Sequence, residues 1–160
     1  MHNIKNNNEG HLFELFVDGA SRNNPGRAGV GIFITKDKNT IEQLGFYIGI
    51  KTNNQAEYLA LLLGILYLKN HVGPNDMVLI VSDSELMVKQ LKGEYRVKNQ
   101  DLLQLYMIAK KMLASLNYKV VHVMREENCM ADSLANLGID RTILVPDSIL
   151  AKLHEYSISL

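Results

Sequence analysis

Residues 11–48 decide the fold: HLFELFV (11–17), DGASRNNPGR (18–27), AGVGIFIT (28–35) and IEQLGFYI (41–48). The first, third and fourth pieces are apolar runs of strand length. The second is a cluster of Gly, Asn and Pro, residues that reverse a chain. A polar turn, Asp37 to Asn39, separates the last two runs. Three strands on short connections are expected to form an antiparallel meander. The glycines of the second strand mark places where something can approach the backbone closely.

The period then changes. Asn53 to Lys69 sets Ala56, Leu59, Ala60, Leu63, Leu66 and Tyr67 at helical spacing, with Asn53 or Asn54 as N-cap and Val72-Gly73-Pro74 as the stop. Met77 to Val81 is a short continuous apolar run, as in a central strand buried on both faces. Ser84–Leu91 and Asn99–Leu116 read as helices on either side of Gly93. Tyr118–Met124 reads as a fifth strand, and Asn128–Leu137 as a last helix stopped by Gly138. The order describes one α/β domain over residues 11–138: a five-stranded mixed sheet, three antiparallel strands then parallel strands, flanked by helices. Residues 1–10, with Asn6-Asn7-Asn8, read as a disordered leader. Residues 139–160 form a tail in which Ile149, Leu150 and Leu153 fit a short helix after Pro146, leaving docking on the core and self-association both open.

Composition bounds the function. The chain has 160 residues, 47% hydrophobic and 21% charged, which is the profile of one globular domain. Its single cysteine, Cys129, excludes an intramolecular disulfide and a multi-cysteine zinc site, and reads as an incidental thiol. The longest apolar run, Leu59–Leu68, is too short to span a bilayer. A soluble cytoplasmic protein with no membrane partner is expected, and the oligomeric state is left open. Lys and Arg total 17, as do Asp and Glu, which argues against a strongly basic nucleic-acid coat. Cations bound by four of the acids would leave a modestly basic surface elsewhere.

Those four acids are Asp18, Glu57, Asp83 and Asp132. Asp18 and Asp83 follow the first and fourth strands at once, so adjacent parallel strands would deliver both to one carboxyl edge, where open α/β sheets bind ligands. Glu57 in the first turn of its helix and Asp132 early in the last would join them. Four carboxylates repel one another unless cations neutralise them, and oxygen ligands of this kind suit Mg²⁺ or Mn²⁺. Two such ions can hold the attacking water and the leaving oxygen of a phosphodiester displacement.

The motifs themselves are recognisable. Phe16-Val17-Asp18-Gly19-Ala20-Ser21 through Asn23-Asn24-Pro25-Gly26 resembles the first motif of the ribonuclease H family. Thr52-Asn53-Asn54-Gln55-Ala56-Glu57-Tyr58 resembles the second, and Ser82-Asp83-Ser84 the third. Arg125-Glu126-Glu127-Asn128 with Ala131-Asp132 and Leu134-Ala135 resembles the fourth. Four motifs in family order are a specific signal. The resemblance implies a ribonuclease H-like fold and cleavage of the RNA strand of an RNA/DNA hybrid with two Mg²⁺ (Mn²⁺ as the alternative), leaving 3′-hydroxyl and 5′-phosphate ends. It implies that Asp18 bridges both ions, that Glu57 and Asp83 complete one site, and that Asp132 completes the other. It makes Asn24, Asn54 and Gln55 candidates for reading the 2′-OH, and Thr52 and Asn54 candidates for holding a DNA phosphate.

Two departures stand out. The chain has no Trp, and Lys92–Asn99 is short where many bacterial members carry a basic protrusion. Neither that protrusion nor a hybrid-binding domain is expected, and Lys89, Lys92, Arg96 and Lys98 are left as phosphate contacts or a solvated face. His122 lies within an expected strand, which leaves Arg125 and Glu126 as alternatives to it for the product-release role that a loop histidine has in some members. Competing readings are a same-fold nuclease acting on double-stranded RNA or DNA, and a non-catalytic nucleic-acid-binding module. Singly, Asp83, Ser84, Asn53 and Asn54 also read as helix caps.

Overall fold

The computed structural model describes residues 9–160, so most of the expected leader lies outside the described residues. Strands β1 (Leu12–Ser21), β2 (Gly26–Lys36) and β3 (Asn39–Lys51) form the antiparallel meander. β1 pairs with β2 from Phe13↔Lys36 to Ser21↔Ala28. It therefore runs on through Asp18 instead of ending at Val17, because its hairpin partner continues beside it.

β4 (Met77–Ser82) lies parallel to β1, and β5 (Tyr118–His122) lies parallel to β4. The sheet order is β3-β2-β1-β4-β5, the mixed sheet expected from the sequence. Val78, Ile80 and Val81 of β4 are buried, as a central strand requires. β5 stops at His122, two residues early. Val123 N–H still bonds Ser82 O at 3.0 Å, but β4 ends there and offers no further partner. A single 3₁₀ turn, Arg125–Glu127, follows.

α1 (Asn53–Leu68) covers one face of the sheet, with α3 (Gln100–Leu113) outside it and α2 (Glu85–Leu91) beside it. Eleven of the 16 residues of α1 are buried, so it is apolar around most of its circumference and not along one stripe. It starts from Thr52, one residue before the expected caps. Thr52 Oγ1 accepts from Gln55 N–H at 3.2 Å, and Gln55 Oε1 accepts from Thr52 N–H at 2.9 Å, a reciprocal capping box.

α4 (Cys129–Asp140) covers the opposite face, backbone against backbone. A Cβ on Gly31 of β2 would stand 1.8 Å from Ala131 O, and one on Gly45 of β3 would stand 2.1 Å from Leu134 O. The close approach expected at the strand glycines is thus a helix axis laid onto the sheet. Gly138 belongs to the same contact, since its Cβ would meet Phe46 N at 2.5 Å. It does not stop the helix at Leu137 as expected, because it is inside the packing and the helix runs on to Asp140.

The tail returns along the outer edge of β3. Tyr47 N–H bonds Ile143 O at 2.7 Å, and Tyr47 pairs with Leu144. α5 (Asp147–Glu155) then buries Ile149 and Leu153 in the core. Among the described residues, no helix is long and apolar enough to cross a membrane. Gly31→Ala is expected to force α4 off the sheet and cost about 3 kcal/mol, lowering Tm by roughly 10 °C in thermal unfolding.

Candidate active site

Register delivers the first two acids. The last parallel pair between β1 and β4 is Phe16↔Val81, and two residues further along each chain stand Asp18 and Asp83. They are level at the carboxyl edge. Asp18 is still inside β1, held by its pair with Gly31, whereas Asp83 lies just past β4. Glu57 comes from α1, whose backbone rests on Gly19: a Cβ there would stand 2.2 Å from the Ala56 carbonyl carbon. That contact sets Glu57 beside Asp18. Because α1 begins at Asn53, Glu57 falls just past the first turn, not within it as expected.

Asp18, Glu57 and Asp83 offer carboxylate oxygens that all lie within 4.8 Å of one another. They share a pocket of about 350 Å³ with Arg22, Asn53, Arg125, Asp132 and Asn136. Asp132 lines this pocket but stands outside the three-acid group. Arg125 Nη2 lies 3.7 Å from its Oδ1, and Asn136 Nδ2 lies 3.4 Å from the same oxygen. The expected convergence therefore brings three acids within mutual reach, and Asp132 meets the group through Asp18.

Burial pushes the Asp18 carboxyl up from 3.8 to about 7, with the Asp83 charge adding to the rise. Glu57 is raised well above its ordinary value by burial and then by the Asp18 charge. Its Oε2 is buried without a hydrogen-bond partner. A buried, unpaired carboxylate oxygen among hard oxygen donors is the setting that a divalent cation satisfies. The three acids fit such an ion.

Asn24, Thr52, Asn54 and Gln55 line a second cleft of about 210 Å³, joined by Asn99, Asp101 and Leu102. Its polar groups are partly committed. Asn24 Oδ1 accepts from Asn53 N–H at 3.0 Å, and Thr52 and Gln55 cap α1. The N-terminus of α1 separates the two clefts, with Asn53 and Glu57 facing one and Thr52, Asn54 and Gln55 the other.

Other expectations resolve individually. His122 is the exposed last residue of β5, with Nε2 3.3 Å from Asp83 O. Lys89 is engaged, 2.7 Å from Glu85 and over the Tyr95 ring, while Lys92, Arg96 and Lys98 are exposed. Sequence reasoning passed over Asn99 and Asn128. Asn99, expected as the first residue of its helix, is instead the N-cap, accepting from Asp101 and Leu102 N–H. Asn128 stands within the fourth motif without a role.

The family described as reverse transcriptase-like matches residues 16–138. The chain is 38% identical over 133 residues to the ribonuclease HI of Halobacterium salinarum, covering 82% of this chain and 66% of that protein. The crystal structure of ribonuclease H1 from that organism superposes with a TM-score of 0.77 at 33% identity, covering 81% of this chain and 98% of that one. LC11-RNase H1 in complex with an RNA/DNA hybrid superposes with a TM-score of 0.75 at 36% identity, covering 82% and 97%. A bifunctional protein of Mycobacterium tuberculosis is 38% identical over 78% of this chain and 34% of its own length. The chain thus spans about two thirds of the first curated relative and about a third of the second.

The raised carboxyl of Asp18 carries a sign. A folded-state pKa above the unfolded value favours the native state at low pH, and that contribution is lost as pH rises from about 4 through about 7. In chelator, Asp18→Asn is therefore expected to raise Tm relative to wild type by several degrees at pH 8 and by much less at pH 5. Thermal unfolding of both proteins at the two pH values checks this.

Proposed function

The chain belongs to the ribonuclease H family, and from that footing we propose that it is a divalent-cation-dependent endonuclease hydrolysing the RNA strand of RNA/DNA hybrids. Its products carry 3′-hydroxyl and 5′-phosphate ends. The observation that carries the reading is the approach of Asp18, Glu57 and Asp83 to within 4.8 Å at the sheet edge. The hybrid bound to LC11-RNase H1 supports the substrate.

On this reading Asp18, Glu57 and Asp83 would hold one ion, and Asp18 with Asp132 would hold the second. When bound, two Mg²⁺ or Mn²⁺ ions supply the positive charge that activates water and stabilises the leaving oxygen. The protein's own part is placement. β1 and β4 fix the spacing of Asp18 and Asp83, and the seat of α1 on Gly19 fixes Glu57. Arg125, with 78% of its side chain exposed, pairs loosely with Asp132 and is free to exchange that carboxylate for a phosphate as product leaves. The second cleft serves recognition. Asn24 spends its carbonyl oxygen on Asn53 and keeps its NH₂ for a ligand. Asn54 is exposed at the same mouth, and the capping box of Thr52 and Gln55 holds it there. A 2′-OH is the group by which such a site tells RNA from DNA.

A cleavage panel on hybrid, double-stranded RNA and double-stranded DNA, each with Mg²⁺ and with Mn²⁺, tests the function. Cleavage of the RNA strand of the hybrid is expected, and cleavage of DNA alone overturns the reading. Asp18→Asn and Asp83→Asn are each expected to lower kcat by about 10³-fold or more with the fold retained by circular dichroism. Hybrid affinity is expected to fall with salt at a log–log slope of about −3 if Lys92, Arg96 and Lys98 each meet a phosphate. A flat response removes them from the interface.

A further inference from the structure

Asn128 sits where the elements carrying the acids meet, between the Arg125–Glu127 turn and α4, and is 1% exposed. Its side-chain NH₂ donates twice, to Val17 O at 2.9 Å and to Asp83 Oδ1 at 3.2 Å. Val17 immediately precedes Asp18. One amide group therefore ties the β1 backbone that carries Asp18 to the carboxylate that follows β4. The main-chain oxygen of Asn128 also accepts from Asp132 N–H at 3.1 Å.

The direction of the amide is dictated by its neighbours. Turned over, it would set its oxygen against the Val17 carbonyl and the Asp83 carboxylate. The adopted direction leaves Asn128 Oδ1 buried without a hydrogen-bond partner, which is a cost. Helix capping does not repay it, because the side chain makes no capping hydrogen bond to α4. The two donated bonds are what the residue does.

We propose that Asn128 is a positioning residue that holds the Asp83 carboxylate in register with Asp18, so that the two present their oxygens to a cation together. The inference deepens the metal-dependent nuclease reading and rests on it. Hydrogen-bond partners behind a metal ligand typically change ion affinity by 10–100-fold.

Calorimetric titration with Mn²⁺, kcat and KM on hybrid, and thermal unfolding in chelator test the role in wild type, Asn128→Ala and Asn128→Ser. Asn128→Ala is expected to fold with a lowered Tm, to bind Mn²⁺ about tenfold more weakly, and to lose kcat with KM for hybrid within about twofold. Asn128→Ser keeps one donor and is expected to fall between, about threefold weaker in Mn²⁺. It carries the test should the Ala variant not fold. Folded variants with a lower Tm but wild-type ion affinity and kcat would mean a purely structural side chain and overturn the proposal. A raised KM with unchanged ion affinity would overturn it in favour of a substrate contact. If wild type binds Mn²⁺ yet leaves the hybrid uncut, the function above fails while the affinity comparison still decides the role of Asn128.

Discussion

Three carboxylates within 4.8 Å of one another are the constraint that the rest of the molecule answers to. At that separation, with the effective dielectric of a protein, each pair of ionised carboxylates would repel by about 3–4 kcal/mol, which adds to burial in holding protons on Asp18 and Glu57. Nothing local holds them together, since they come from two strands and a helix. The parallel pairing of β1 with β4 and the seating of α1 on Gly19 hold them against that repulsion. The protein spends the rigidity of its sheet on a place where carboxyl groups are crowded, and that crowding is what fits the site to a cation.

Much of this was legible from residues alone. Asp18 and Asp83 were visible because each ends an apolar run, and β-strand register turns that position in sequence into a position in space. Glu57 and Asp132 were visible through the motif order that resembles ribonuclease H. The order and sense of the strands followed from a meander, a continuous apolar run and a later strand. Three details were not legible, each for a physical reason. Asp18 lies inside β1 because the hairpin partner extends it, and pairing partners are not written in a single strand. Thr52 caps α1 because Gln55 reciprocates, a choice that neighbouring Asn53 and Asn54 disguise. Gly138 looked like a terminator and is a packing contact with Phe46, a partner distant in sequence.

Asn128 shows the same limit at the site. Its bonds reach back 111 and 45 positions, so its role emerges only when the buried donors and acceptors are accounted for in three dimensions. The fourth acid is also placed by its neighbours. Asp132 is on the helix and in the pocket that its spacing implied, and Asp18 and Asn136 meet its carboxylate there. Position along a chain predicts the neighbourhood of a charged group more readily than its final orientation.

The way α4 lies on the glycines of β2 and β3 has a consequence for biosynthesis. The strands that receive it are translated about a hundred codons before the helix that supplies Asp132. A growing polypeptide therefore leaves the ribosome with an open slot on its sheet and an incomplete acid set. The slot closes only once α4 has been made, so a fragment that ends before Cys129 lacks both the covering helix and the fourth acid.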